Sequence, residues 1–307
     1  MLFPFSSGEV RQNYLAADQY AHLCDRIFAR DTRLAQGRQT TYVGGDLIYA
    51  QTDEVPKIFE RLRLSRRRVV LVTAESDRSA DAGLLSWMPP QVTHWFSTNA
   101  VKNDPRLIGL PLGLGNSYCQ VTLQPESLAK GAGPNETRTK WLYVNFREET
   151  NLKVRGPIKG RFRNLGAQPW FTLREQTISI PEFQTEMSEH RFILCPPGNG
   201  IDTHRMWEAL YSRTIPVVQR SMLMDLCQGL PILFVDDFSE VTPELLEREY
   251  ARISKTEWNY ERLFLPWWRE QLLVKRTVLR EGGAKMGFGA FAAASANYVV
   301  DMLRRRL

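Results

Sequence analysis

The residues best suited to chemistry lie in one stretch, Arg191-Phe-Ile-Leu-Cys-Pro-Pro-Gly-Asn-Gly-Ile-Asp-Thr-His-Arg-Met-Trp-Glu-Ala-Leu-Tyr211, followed by Thr214-Ile-Pro-Val-Val218. Pro196 and Pro197 stop a strand and forbid an immediate helix. Gly198 and Gly200, flanking Asn199, let the backbone turn and let a ligand approach without a Cβ in the way. Asp202 or Thr203 stands where a helix N-cap is needed. Beyond it, helical spacing puts Met206, Trp207, Leu210 and Tyr211 on a core side and His204, Arg205, Glu208 and Ser212 on the other. A cation near a helix start suits a phosphate, and a carboxylate one turn later can accept both hydroxyls of a ribose. The plainer reading is a strand-to-helix connector with a solvated Arg205–Glu208 pair.

This unit needs a sheet to hold it. Apolar runs predict strands at Trp141–Asn145, Phe192–Cys195, Thr214–Val218 and Pro231–Val235. Thr242-Pro243-Glu244 opens a helix with a capping hydroxyl, an early proline and an acid near the positive dipole end. Earlier, periodicity predicts one helix across residues 10–30 and a strand at Thr41–Asp46 ending in Gly44-Gly45. Arg68–Thr73 reads as a buried strand running into Ala74-Glu75-Ser76-Asp77, with further strands at Thr93–Ser97 and Leu107–Leu112. Alternating strands and helices argue for an α/β protein. The polar, Gly/Pro-bearing text from 126 to 140 is the best joint. The expected domains are 1–130, a linker at 131–140, 141–280, and a carboxy-terminal helix in 281–307 packing back on the first domain. The aromatic segment Trp258 to Trp268 is expected to pack a helix at the domain junction.

Composition sets the outer bounds. The 307 residues are 43% hydrophobic and 24% charged, which fits folded α/β domains with a real core. The formal charge of +6 favours anionic ligands but is too small to signal a nucleic-acid binder. Arginine clusters at 66–68 and 304–306 read as solvated ends of elements, and the second would also suit peripheral contact with a membrane. The cysteines (Cys24, Cys119, Cys195, Cys227) form no metal-ligand spacing and suit a reducing compartment. The start Met-Leu-Phe-Pro-Phe shows no signal-peptide pattern, and no apolar run is long enough to span a bilayer, so a cytoplasmic protein is expected. Gly113-Leu-Gly115 is a fragment of a dinucleotide fingerprint that nothing completes, which argues against an oxidoreductase.

The pattern Arg191-Phe, Leu194-Cys-Pro-Pro-Gly, Asp202, Arg205, Glu208-Ala-Leu and Thr214-Ile-Pro-Val-Val, with Pro231 and Val235-Asp-Asp-Phe-Ser239 downstream, resembles the exostosin-like glycosyltransferases. Trp141-Leu-Tyr-Val-Asn-Phe-Arg147, Thr150-Asn151, Arg155 and Glu261–Trp268 are similar to further family segments. The likeness covers roughly residues 141–270 and departs at Thr214, where glycine or cysteine is usual.

The resemblance implies two Rossmann-like domains facing a cleft, the GT-B arrangement. Domain 1–130 would then serve the acceptor and 141–280 a nucleotide-sugar of the UDP or GDP kind. Transfer would invert the anomeric centre. Arg155, Arg205 and the amides around Pro196, Gly198 and Gly200 would meet the diphosphate, Glu208 the ribose, and Asn145, Asn199 and His204 the phosphate or sugar, near Asp202. No D-x-D signature occurs, and Asp236-Asp237 lacks that spacing, so no metal is expected. Inversion needs a group to take the acceptor hydroxyl's proton. Asp77, with Glu75 beside it, is the first candidate, and Asp46 the rival. The acceptor would be a glycan, a lipid-linked group or another hydroxyl. The competing reading is a non-catalytic nucleotide- or nucleic-acid-binding α/β protein.

Overall fold

A computed structural model describes residues 2–28, 42–119, 122–131 and 133–304. Along the chain, α1 (Ser7–Asn13) and α2 (Ala17–His22) precede β1 (Arg26–Phe28), β2 (Leu47–Gln51), α3 (Val55–Arg63), β3 (Val69–Ala74), α4 (Ala82–Ser86), β4 (Val92–Ser97) and β5 (Leu107–Gly109). There follow α5 (Pro125–Gly131), β6 (Lys140–Val144), α6 (Leu152–Leu165), β7 (Phe171–Leu173), α7 (Ile180–Glu189), β8 (His190–Leu194) and α8 (His204–Tyr211). The chain closes with β9 (Ile215–Gln219), α9 (Leu223–Leu226), β10 (Leu233–Val235), α10 (Pro243–Lys255), α11 (Leu265–Glu281) and α12 (Phe288–Arg304).

Two compact α/β units result, each on a five-stranded parallel sheet. The first unit joins Met1–Ala17 to Pro111–Pro266, and the second joins Asp18–Leu110 to Trp267–Leu307. In the second unit the strands run in sequence order, β1-β2-β3-β4-β5. One face of that sheet packs Ile48, Ala50, Leu71 and Trp95 against Phe59 and Leu62 of α3 and Leu84 of α4. β3 is buried along its whole length, as an apolar run in a parallel sheet must be. Chain beyond α11 joins this unit: Arg68 donates its amide to the Ala284 carbonyl, and Met286 to that of Arg66.

Three local expectations change. The helix expected over 10–30 is α1, α2 and β1, because a Ser6/Glu9 capping box starts α1 early and Tyr14 leaves it in an extended conformation. The Gly44-Gly45 pair precedes its strand: Gly45 turns with φ +88° and β2 follows it. Thr41, the expected start of that strand, lies outside the described residues. The chain from Pro111 onward groups with the later sheet, and the polar text from 133 to 140 is structured. Leu128 is buried, Asn135 donates to the carbonyls of Arg191 and Arg213, and buried Arg138 donates to those of His190 and Ser212. A hydrophilic string there satisfies buried backbone and is no free connector.

Candidate functional site

In the first unit the strand order is β10-β9-β8-β6-β7. Counted from β6, this is the 2-1-3-4-5 order of doubly wound sheets, and its direction reverses between β6 and β8. Connections on either side of such a point leave by opposite faces, so a crevice opens at the carboxyl ends of those strands. A cavity of about 510 Å³ lies there, within the range of small-molecule sites. Its walls are the β6 loop (Asn145 to Thr150), the β7 loop (Arg174 to Ile178), Ile180 and Phe183 of α7, Arg155 and Lys159 of α6, Arg205 and Glu208 of α8, and Thr122–Leu123.

Helix α8 splits in part as its sequence predicts. Met206, Trp207, Leu210 and Tyr211 are buried and Arg205 and Glu208 line the cavity, but Glu208 and Ser212 of the expected polar side are themselves buried. The Arg205–Glu208 pair of the plainer reading does not form. Glu208 accepts the Leu123 amide at 2.9 Å through Oε1, and its other oxygen has no protein donor among the described residues. Arg205 lies over the Phe183 ring, 5.4 Å from its centroid, and its buried Nε lacks an acceptor. His204 has Nδ1 2.8 Å from the Gly113 carbonyl oxygen, which ties the edge of α8 to the 111–115 segment.

Asp202 does not cap α8, and Thr203 holds the N-cap position with no side-chain cap. The buried Asp202 carboxylate accepts from the Leu112 amide at 2.7 Å and from Trp207 Nε1 at 2.9 Å. Burial pushes its pKa up to about 6.

The Pro196–Gly200 loop follows β8, but none of its residues lines the cavity. Arg155 instead braces it. Its guanidinium donates to the carbonyls of Pro197 and Pro196 at 3.0 Å each, to that of Arg147 at 2.9 Å and to Thr150 Oγ1 at 2.5 Å. Four of its five N–H groups are therefore occupied, so Arg155 shapes the site and has one donor left for a ligand. Asn151 donates to the Gly198 carbonyl, and Gly198 donates to that of Gly200. Asn199 stands in this loop. Burial, with Arg205 nearby, lowers the Arg155 pKa to about 10.

Five basic side chains line the cavity: Arg147, Arg155, Lys159, Arg174 and Arg205. Arg155 is held by oxygens, Lys159 pairs with Glu175 at 3.3 Å, and Arg174 pairs with Glu186. Arg205 and exposed Arg147 remain without a hydrogen-bonded anion among the described residues. Four glutamates, Glu148, Glu149, Glu175 and Glu208, line the same cavity, so its charges nearly balance, and the two uncompensated guanidiniums are the groups free to meet an anionic group.

Asn145 sits at the end of β6 as expected, with Nδ2 donating to Tyr143 Oη at 2.6 Å. That hydroxyl donates to Glu186 Oε2 at 2.6 Å, and Arg174 Nε donates to the same oxygen at 2.8 Å. Arg174 lowers the Glu186 pKa, whereas burial raises that of Tyr143. With its nitrogen engaged, Asn145 keeps its oxygen as an acceptor at the cavity wall. Sequence reasoning missed Arg174 and Phe183 because β7 is three residues long and α7 has one buried residue. The capping signature Ser179-Ile-Pro-Glu182 marked α7 and could have found it.

The acidic candidates for proton transfer lie in the second unit. Asp77 is exposed, three residues past β3. Glu75 has φ +57° and accepts the Tyr49 hydroxyl at 3.2 Å. Asp46 is buried, accepts the Val43 amide at 2.8 Å and pairs with Arg26 at 3.4 Å and Arg280 at 3.8 Å. That is the setting of a structural carboxylate. Among the described residues no three His, Cys, Asp or Glu side chains group as a metal site, and no helix is long and apolar enough to cross a membrane.

No protein-family model matches the chain. Ribitol-5-phosphate xylosyltransferase 1 of Danio rerio is 23% identical over 199 residues, 58% of this chain and 45% of that protein. The chain thus spans less than half the length of this curated relative, and its sequence similarity is to a glycosyltransferase. Among solved structures, an alpha1,3-fucosyltransferase aligns over 81% of this chain and 80% of its own at a TM-score of 0.44 and 10% identity. An alpha1,3-fucosyltransferase with GDP-fucose aligns over 79% and 80% at 0.43 and 13%. An alpha,alpha-trehalose-phosphate synthase (UDP-forming) from Burkholderia vietnamiensis aligns over 85% and 75% at 0.36 and 10%.

Proposed function

We propose that the first unit binds a nucleotide-sugar in the cavity beside β6 and β8, and that the protein transfers its glycosyl group to an acceptor hydroxyl. The observation carrying this reading is the pair of uncompensated guanidiniums, Arg205 and Arg147, beside a half-satisfied Glu208 at the strand-order reversal. Sequence similarity to a xylosyltransferase supports the same reaction class. Each unit also has the parallel α/β sheet from which GT-B enzymes are built.

In this reading the bond between the anomeric carbon and the diphosphate oxygen breaks while the acceptor oxygen bonds to that carbon. The developing diphosphate charge falls to Arg205 and Arg147, with the last N–H of Arg155, so cations carry it in place of a metal. The second oxygen of Glu208 accepts a ribose hydroxyl, and Asn145 Oδ1 accepts from sugar or base. Asp77 receives the acceptor's proton, and the single displacement, on the face opposite the departing diphosphate, inverts the anomeric centre. Asp46, committed to two arginines, is left out of that role. UDP or GDP as the nucleotide, kinship with the exostosin-like enzymes, and a glycan or lipid-linked acceptor belong to the same proposal.

A thermal-shift screen with UDP, GDP, ADP and CMP tests it. One nucleoside diphosphate should raise Tm, by mass action on the folded state. Arg205→Ala should abolish that rise, and Asp77→Asn should keep it while removing turnover of the nucleotide-sugar. If no nucleotide stabilises the protein, the cavity assignment fails. Stabilisation without transfer from any nucleotide-sugar would leave a non-catalytic nucleotide-binding protein.

A further inference from the structure

The side-chain amide of Asn145 has two ends of the same shape, and its hydrogen bonds decide which end is offered to the cavity. Those bonds run back from the wall: Asn145 and Arg174 line the cavity, whereas Tyr143 and Glu186 stand behind them. Arg174 donates to Glu186 twice, from Nε to Oε2 at 2.8 Å and from Nη2 to Oε1, and this fork holds the carboxyl ionised. An ionised carboxylate only accepts, so the Tyr143 hydroxyl, 2.6 Å from Oε2, spends its one proton there. Lone pairs are all that Tyr143 Oη has left. Asn145, 2.6 Å away, can meet them only with Nδ2, which leaves Oδ1 without a protein donor among the described residues.

The Tyr143 ring cannot turn away from this duty. It is wholly buried and stacks on His190 and Phe183 at centroid distances of 4.9 Å and 6.0 Å. A phenylalanine at this position would fill the same core, and Glu186 would keep both bonds from Arg174. Only the Asn145 amide would lose its bearing, so the phenol oxygen acts on the cavity wall.

We infer that Tyr143, locked by Glu186, is a positioning residue: it fixes Asn145 with its oxygen as the cavity's acceptor, which holds a ligand group that donates, a hydroxyl or a base N–H. The ligand's identity rests on the nucleotide-sugar reading, and the geometry rests on the bonds alone. Two measurements test it. In ligand-free protein carrying isotope-labelled asparagine, one Asn145 side-chain amide proton should resonate downfield and exchange slowly with solvent. Both features should vanish in Tyr143→Phe with an unchanged circular dichroism spectrum, and a signal that survives the substitution would overturn the inference. The tightest binder among UDP-xylose, UDP-glucose and GDP-mannose then serves as the probe. Its affinity by calorimetry should fall roughly fivefold in Asn145→Ala, by no more than that in Tyr143→Phe, and no further in the double variant. Single losses that multiply in the double variant, or an Asn145→Ala protein that binds as the wild type does, would overturn it as well. If none of the three probes binds while the amide signal is lost in Tyr143→Phe, the nucleotide-sugar reading falls and the positioning of Asn145 by Tyr143 stands.

Discussion

The Arg155 guanidinium fills the space that a side chain on Gly198 would need: a Cβ there would stand 3.0 Å from Nη2. Because that guanidinium is buried and held by four oxygens, it cannot swing aside. Gly198→Ala should therefore cost about 1–2 kcal/mol of stability through crowding. It should also weaken nucleoside diphosphate binding, because Arg155 holds Arg147 through its carbonyl. Arg155→Lys should cost more, roughly 3 kcal/mol, since one ammonium cannot replace a fork serving Pro196, Pro197 and Arg147 together. Urea unfolding of both variants checks the order. A fully stable Arg155→Lys protein would refute the bracing role.

Glu208 separates structure from binding. Glu208→Gln keeps an acceptor for the Leu123 amide, so Tm without ligand should hold. The loss of a charged acceptor should weaken binding of the stabilising nucleoside diphosphate roughly tenfold, about 1.4 kcal/mol. A 2′,3′-dideoxy analogue should bind both proteins equally. Calorimetric titration of the two ligands gives the answer, and equal losses for both would remove the ribose from the assignment.

His190 sets an acid limit on the first unit. Its ring is buried between the Glu186 carbonyl, 2.6 Å from Nδ1, and Thr172 Oγ1, 2.8 Å from Nε2, and it stacks on Tyr143. Burial lowers its pKa from 6.5 to about 4. A depressed histidine contributes stability that is full above the unfolded pKa and is lost as pH falls toward the folded value. The protein should lose roughly 2–3 kcal/mol between about pH 6.5 and 4 that His190→Gln does not lose. Chemical unfolding followed by tryptophan fluorescence across that window measures the difference.

Thr214, where the resembling family carries glycine or cysteine, has a local reason here. Its hydroxyl accepts from Arg138 Nη1 and lies 3.3 Å from the Met187 carbonyl, wholly buried. Thr214→Gly should destabilise the protein by about 2 kcal/mol while leaving ligand affinity unchanged, because it adds backbone freedom and removes a buried acceptor. Denaturation and binding measured on one preparation would show whether the two effects separate.

These side chains show what a sequence can and cannot disclose. The strands β3, β4, β6, β8 and β9 were legible because buried parallel strands are near-continuous apolar runs, and the inward side of α8 was legible from its spacing. Arg205 and Glu208 at the cavity follow from the same spacing, and Asn145 from the family resemblance. The bracing role of Arg155 was not legible, because it depends on carbonyls about forty residues away. Nor was the structural use of Asp202, whose partner at Leu112 is ninety residues distant. The Gly113-Leu-Gly115 fragment also resolves: a Cβ on Gly113 would meet the Leu15 carbonyl at 2.1 Å, and one on Gly115 would meet Thr122. Those glycines serve close packing.

Leu15 donates its amide to the Tyr211 hydroxyl at 2.9 Å across 196 residues, and Leu2, Phe3 and Phe5 are buried with it in the first unit. During synthesis these apolar residues leave the ribosome well before their partners, roughly ten to forty seconds at ordinary elongation rates. The intervening stretch up to Leu110 emerges meanwhile, and it too must wait, for Trp267 onward. The five strands of that stretch are all made before Pro111 and lack only the helices from Trp267 onward, whereas Leu2, Phe3 and Phe5 keep their apolar surface uncovered on the nascent chain until the strands of the first unit have emerged.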